Sequence, residues 1–128
     1  MGHRIPDTIF SKYIRLRDAD ENGYAKCCTC PIVLPWKEMQ CGHYYSRKRL
    51  KIRWDERNAH AQCHECNCLK NGNEEEYKKF MESNYSEQDL KELWDGYFLR
   101  FDGFMQYEID GVVAHYKQKL KQLIKKRS

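Results

Sequence analysis

Residues 27–30 read Cys-Cys-Thr-Cys and residues 63–67 read Cys-His-Glu-Cys-Asn. They form two Cys-x2-Cys knuckles separated by 32 residues. Each knuckle turns its backbone so that two sulfurs converge, and two knuckles supply the four thiolates of a tetrahedral structural zinc. Cys27, Cys30, Cys63 and Cys66 are therefore expected to hold one Zn²⁺, whose binding contributes directly to folding. A redox reading is disfavoured, because there are two such motifs and neither lies in a recognisable βαβ unit. Cys28 with Cys30 would make an unusually short Cys-x-Cys pair. Cys41 and Cys68 read as small buried residues. His64 lies inside the second knuckle and should point away from the ion, and His60 reads as a core or hydrogen-bonded histidine.

Around these knuckles the 128-residue chain carries seven cysteines, 41% hydrophobic and 33% charged residues, and a formal net charge of +4. The length fits one domain, 1–128, since domains usually run to about 100–200 residues. No stretch approaches the roughly 18 apolar residues of a membrane helix, so a soluble protein without membrane partners is expected. Met1–Asp7 holds His3, Arg4, Pro6 and Asp7 where a signal peptide would need an apolar core. Clustered thiols in a reducing cytosol bind metal more often than they pair. The odd cysteine count points the same way and excludes a fully disulfide-stapled secreted domain. A chain of this size also has limited apolar surface to bury and gains from a structural metal.

Charge is distributed unevenly. Tyr44–Arg57 carries Arg47, Lys48, Arg49, Lys51, Arg53 and Arg57 against Asp55 and Glu56, and Lys117–Arg127 carries six cations and no acid. Glu74–Glu92, between them, is acidic. Two basic segments suit a polyanion-binding surface, a solvated charged face being the alternative.

The pattern of apolar residues predicts a helix capped by Asp7 after Pro6, with Ile9, Phe10, Tyr13, Ile14 and Leu16 at helical spacing, fading near Glu21-Asn-Gly23. Short strands and turns are expected from Tyr24 to Tyr45, with Met39–Tyr44 the strand candidate. Ser46–Arg57 reads as a basic, loop-like connection. A helix is expected from Cys63–Cys66 to Asn71-Gly-Asn73, and another over Glu74–Glu82 with Tyr77, Phe80 and Met81 inward. Ser86-Glu-Gln-Asp89 resembles a capping box opening a helix through Leu90, Leu93, Trp94 and Phe98. Gly103 is a candidate interruption. Ile109, Val112, Val113, Tyr116, Leu120, Leu123 and Ile124 share one face of a last helix, as core or as an oligomer seam.

Between and after the knuckles the order is Cys41-Gly-His-Tyr-Tyr-Ser-Arg47, Asn58, Cys63-x2-Cys66-Asn67 and Lys70-Asn-Gly-Asn73. This resembles the zinc-braced branch of the HNH nucleases, a ββα-metal or His-Me finger fold. In that family a histidine ends the first strand, an asparagine lies between the strands, and a His or Asn follows the last zinc cysteine; His43, Asn58 and Asn67 fill those places. With Phe10–Asp18 and Asn58–Cys63 added, the stretch from Phe10 to Tyr85 resembles the lambdoid-phage NinG/Rap recombination endonucleases. Full-length members are expected to begin with a longer basic N-terminal extension, which bears on affinity more than on chemistry.

The resemblance implies an α+β fold, with a zinc-braced HNH core over 8–85 and a helical extension over 86–128 that offers a dimer surface. It implies metal-dependent hydrolysis of DNA phosphodiesters at branched or recombination-intermediate DNA, by a phage or prophage protein in the bacterial cytoplasm. His43 would be the general base, Asn67 would hold Mg²⁺ or Mn²⁺, and Asn58 would orient the loop and the imidazole unless it is an ordinary turn asparagine. Arg47 is expected beside the scissile phosphate, with Lys48, Arg49, Lys51, Arg53 and Lys70 as further DNA contacts. Many HNH enzymes place an acidic metal ligand before the histidine, where this chain has Gly42; Asp18 is the substitute expected to reach in. A two-fold dimer would suit paired incisions. The competing reading is a catalytically silent zinc-knuckle DNA-binding protein.

Overall fold

The computed structural model describes residues 3–127. Helix α1 (Arg4–Arg17) comes first, then strands β1 (Tyr24–Lys26), β2 (Val33–Pro35), β3 (Gln40–His43) and β4 (Ala59–Gln62). A single π turn (Glu65–Leu69) leads to α2 (Glu74–Asn84), α3 (Glu87–Phe98) and α4 (Gln106–Arg127). The result is a mixed α+β fold with two small antiparallel sheets, β1–β2 and β3–β4.

Helix α1 begins three residues before the predicted cap. Its cap position is His3, and Pro6 is tolerated because the first-turn N–H groups have no intrahelical acceptor. Asp7 is thus inside the helix, with its N–H bonded to the His3 carbonyl at 2.9 Å, and its carboxylate is free for other work. Phe10 and Ile14 turn inward and meet α4, which folds back along α1. Tyr116 seals this contact: its ring sits edge-on to Phe10 at 5.0 Å and its hydroxyl donates to the Trp54 carbonyl at 3.1 Å. The face of α4 that could have formed a seam thereby spends Ile109, Val112 and Tyr116 on α1 within the chain.

Hairpin β1–β2 carries the first knuckle at its tip, with Lys26 paired to Val33 across it. Asp20 starts this hairpin by accepting from the N–H groups of Asn22 and Tyr24, both at 2.9 Å. The predicted strand Met39–Tyr44 is present as β3, paired to the fully buried β4 with His43 opposite Ala59 and Gly42 opposite His60. Between these strands the basic segment is irregular, as expected, but Ile52 and Trp54 enter the core from it.

The helix predicted after Cys63 is only the π turn. Asn71, Gly72 and Asn73 all take positive φ (50°, 91° and 49°), which ends it at once and reverses the chain into α2. The Ser86 cap forms as predicted, its hydroxyl accepting from the Asp89 N–H at 3.1 Å. Gly103, at φ 118°, lies in the break between α3 and α4. Along α3 only Leu93 is fully buried; Trp94 and Phe98 stay 50% and 63% exposed, so the predicted apolar stripe is partly a surface feature.

Candidate functional site

The four knuckle cysteines converge. Their sulfurs all lie within 4.8 Å of one another, and Cys30 and Cys63 are 3.7 Å apart. A tetrahedron with Zn–S bonds of about 2.3 Å has edges of about 3.8 Å, so the cluster has the spacing of a structural zinc site. The sulfurs are also held from outside. Cys27 Sγ accepts the Cys63 N–H at 3.3 Å, and Cys66 Sγ accepts the Asn73 side-chain amide at 3.7 Å. The other thiols differ in setting. Burial pushes Cys41 up to about 12 and Cys28 further, so both stay protonated packing groups. Cys68, expected to be buried, is exposed, because the π turn points it outward to within 3.2 Å of Gln40 Oε1. His64 also faces away from the cluster, its Nδ1 meeting Gln40 Nε2 at 2.9 Å. His60 is the hydrogen-bonded core histidine expected, clamped by the Tyr77 and Tyr85 hydroxyls at 3.0 and 2.7 Å.

Beside the cluster, α1, β3 and the π turn enclose an open cleft of about 550 Å³ whose lining includes His43, Arg47 and Asn67. Residues 43 and 67 are far apart in sequence, and pairing β3 to β4 is what brings them to one cavity. His43 Nε2 lies 2.9 Å from the Arg53 carbonyl oxygen. A carbonyl only accepts, so Nε2 carries the proton and the neutral ring keeps its lone pair on Nδ1. Burial, helped by the positive charges of Arg47 and Arg53, pulls the His43 pKa down to about 4, so the imidazole is neutral at pH 7.

Asn67 is fixed through its amide nitrogen, which donates to Gln40 Oε1 at 2.8 Å. Its carbonyl oxygen has no donor among the described residues, which suits a hard-cation ligand. Asn58 is fully buried and works on the loop: its Oδ1 accepts the Tyr45 N–H at 2.9 Å and its Nδ2 donates to the Tyr45 carbonyl at 3.0 Å. It thus clamps the chain two residues beyond His43, far more than a generic turn residue does.

Two predicted residues stand elsewhere. Asp18 borders a different pocket with Cys27, Cys28 and Phe80. Its carboxylate is spent on the Arg17 guanidinium at 2.8 Å and the Ala61 N–H at 2.8 Å, tying α1 to β4, so Asp18 does not supply the acid missing at position 42. Arg53 is not a free DNA contact, because its guanidinium donates to both Asp7 oxygens and, at 3.1 Å, to the Arg47 carbonyl. Lys48, Arg49, Lys51 and Lys70 are exposed, and Lys70 stands next to Asn71 and Gly72, which line the cleft. Arg49 is engaged with the Tyr97 ring.

Gly42 has a packing reason. A Cβ there would stand 2.0 Å from Gln62 Oε1 and 2.8 Å from Gln62 Cβ, on the diagonal neighbour in β4. Gln62 is locked in that position, its amide donating to Thr29 Oγ1 and the Gly72 carbonyl, both at 2.9 Å. No side chain fits at 42, acidic or otherwise.

Sequence reasoning missed Asp7, Arg15 and Gln40. Asp7, Ser11 and Arg15 all line the cleft from α1. Their spacing of four was the available signal: it marks a polar stripe beside the apolar one formed by Phe10 and Ile14. Asp7 gathers Arg53, Trp54 (2.9 Å) and Arg47 (3.4 Å) around one carboxylate, whose pKa is held below the usual range by the Arg53 and Trp54 hydrogen bonds despite opposing burial.

No solved structure matches this chain. The proteins called ninG from Escherichia phage 933W and Escherichia phage lambda are each 31% identical to it over 117 residues, or 91% of the chain. The chain spans about half the length of these relatives (55% and 54%). The family profile of the bacteriophage Lambda NinG protein matches residues 5–126, and the chain therefore belongs to the NinG family.

Proposed function

We propose that the chain is a divalent-metal-dependent endodeoxyribonuclease of the HNH type, acting on branched, recombination-intermediate DNA. The observation that carries this reading is the meeting of His43, Asn67 and Arg47 in one cleft beside the four-cysteine cluster. A strand ending in His43, a return strand and the turn bearing Asn67 follow the order of a ββα-metal core. A DNA-binding knuckle would need neither the oriented imidazole nor the free asparagine carbonyl.

In this mechanism His43 Nδ1 takes a proton from the water that attacks the phosphorus, while Nε2–H stays on the Arg53 carbonyl and fixes the ring. The low pKa of His43 keeps the base unprotonated. A bound phosphodiester would offset the nearby arginines and draw that pKa back up toward neutrality. Arg47, with its side chain 60% exposed and loosely held by Asp7, is placed to contact a non-bridging phosphate oxygen. A Mg²⁺ or Mn²⁺ ion on the Asn67 carbonyl would supply charge neutralisation at the phosphate and the leaving 3′ oxygen. Water adds to phosphorus, the 3′ oxygen leaves and is protonated, and the products are 5′-phosphate and 3′-hydroxyl ends. Lys48, Lys51 and Lys70 hold the flanking backbone, which positions DNA without selecting sequence. Paired incisions at a junction call for a two-fold dimer, which sedimentation tests directly.

The test incubates four-way-junction and linear DNA with the protein and Mg²⁺ or Mn²⁺, and compares His43→Ala. Cleavage reduced by about 10²–10⁴-fold in the variant, with junction binding retained, is the expected result. Binding without cleavage by either protein, under any divalent ion, would establish a silent zinc-knuckle DNA-binding protein instead.

A further inference from the structure

A second cavity of about 820 Å³ lies on the other side of the loop that leaves β3. Its floor is aromatic. The Trp94 and Tyr97 rings are parallel within 6° at 5.8 Å, Phe98 stands edge-on to Trp94 at 4.6 Å, and Tyr45 meets Tyr97 at 5.0 Å. The cations are built into it. The Arg49 guanidinium lies 3.9 Å from the Tyr97 ring centre and donates to the Tyr97 hydroxyl at 2.8 Å, and Lys48 stands beside it. Glu74, Glu75 and Lys78 line the remaining side. Trp94 and Phe98, half or more exposed, are unusual residues to leave to water on a structural helix.

We propose that this groove binds an unpaired nucleotide of the DNA substrate by stacking its base on the exposed Trp94 ring beside Phe98, with Lys48 and Arg49 on the adjoining phosphates. This rests on the nuclease reading and specifies it: the enzyme holds single-stranded DNA next to the strand it cuts. Three observations favour that occupant. A π-face at the surface serves a base that has left its stack, because a duplex buries its own base faces. Carboxylates beside the platform can accept from the amino or imino N–H groups of an unpaired base, which a duplex spends on its own pairing. The groove and the cleft also share one loop as their wall: His43 and Arg47 line one cavity, while the intervening Tyr44, Tyr45 and Ser46, with Lys48, line the other. Asn58 fixes that dividing loop through Tyr45, so the two cavities are held in one register. A second copy of the chain, the competing occupant, is disfavoured by Lys and Glu side chains within the groove, since such residues are depleted at interface cores.

The experiment measures binding by fluorescence anisotropy for the full, zinc-loaded chain, without chelator and without added Mg²⁺, so that cleavage plays no part. The probes are labelled oligo(dT) of about 16 nucleotides, the upper end of a single-strand site, a blunt duplex of the same length and a four-way junction. Trp94→Ala should weaken oligo(dT) binding about tenfold while leaving the duplex within about twofold, and Trp94→Phe, which keeps a π-face, should recover most of the loss. Equal losses on oligo(dT) and duplex, no loss on oligo(dT), or a dimer-to-monomer change with oligo(dT) affinity intact would each overturn the proposal. If wild type binds duplex and junction but not oligo(dT), the groove proposal falls alone. If it binds none of the three, the DNA reading falls with it.

Discussion

Replacing Gly42 with alanine inserts one methyl group between two strands that have no room for it. The new Cβ would meet Gln62 Oε1 at 2.0 Å and Gln62 Cβ at 2.8 Å, so either the Gln62 side chain or the β3–β4 spacing must move. Moving the side chain breaks its bonds to Thr29 and Gly72, which tie the two zinc knuckles together. Overpacking of this kind costs about 1–3 kcal/mol. For a chain of this length that lowers the melting temperature by about 3–12 °C, at roughly 3–4 °C per kcal/mol. The assay is thermal unfolding of the zinc-loaded protein, with Gly42→Ala, Gln62→Ala and the double variant completing a cycle. Truncating Gln62 removes the oxygen but leaves its Cβ, so relief should be partial, with a coupling of about 0.5–3 kcal/mol between the two sites. Gly42→Asp, which installs the acid found in many HNH enzymes, should be destabilised more than Gly42→Ala, because it adds a desolvated charge, and should gain no activity. A Gly42→Ala protein that melts within about 1 °C of wild type, with no coupling to Gln62, would falsify the packing account.

Removing zinc should unfold the domain as well as inactivate it, since both knuckles and the turn bearing Asn67 depend on the cluster; unchanged circular dichroism after chelation would contradict this. Asp7→Asn should cost about 2–4 kcal/mol by leaving the largely buried Arg53 guanidinium without its partner, read as a lower denaturant midpoint; a change under about 0.5 kcal/mol would show that the Asp7–Arg53 pair is dispensable. His43 and His60 should each titrate near pH 4 in the folded protein, as followed by NMR of their ring protons. Because both folded pKa values lie below the ordinary 6.5, the unfolded chain binds protons first as pH falls. Their stability contribution is therefore full above about pH 6.5 and is lost between there and about pH 4. Titration of either ring near 6.5 would contradict its burial in a low-dielectric setting.

The features legible in the sequence are those whose physics is local. Two Cys-x2-Cys knuckles imply convergent sulfurs because the turn between paired cysteines is short, and the sulfurs do converge. The Ser86 cap, the β3 strand and the positive-φ reversal at Asn71–Asn73 are likewise set within a few residues. The His43–Asn67 pairing was legible only through resemblance, since nothing local connects residues in different elements.

The remaining features depended on neighbours distant in sequence. Asp7 reads as a helix cap until Arg47, Arg53 and Trp54, some forty residues on, are folded against it. Arg53 reads as a free cation until Asp7 takes its guanidinium out of solvent. Gly42 reads as a departure from an acidic motif until Gln62 is seen filling the space. The exposed Trp94 reads as core until α4 turns back onto α1 and leaves α3 partly uncovered. Spacing therefore determined the four-cysteine cluster and most of the element types, because backbone turns and side-chain period act over a few residues. Tertiary structure alone decided which charges are free, which aromatic faces meet water and which residues share a cleft, because burial and pairing energies depend on what packs across the chain.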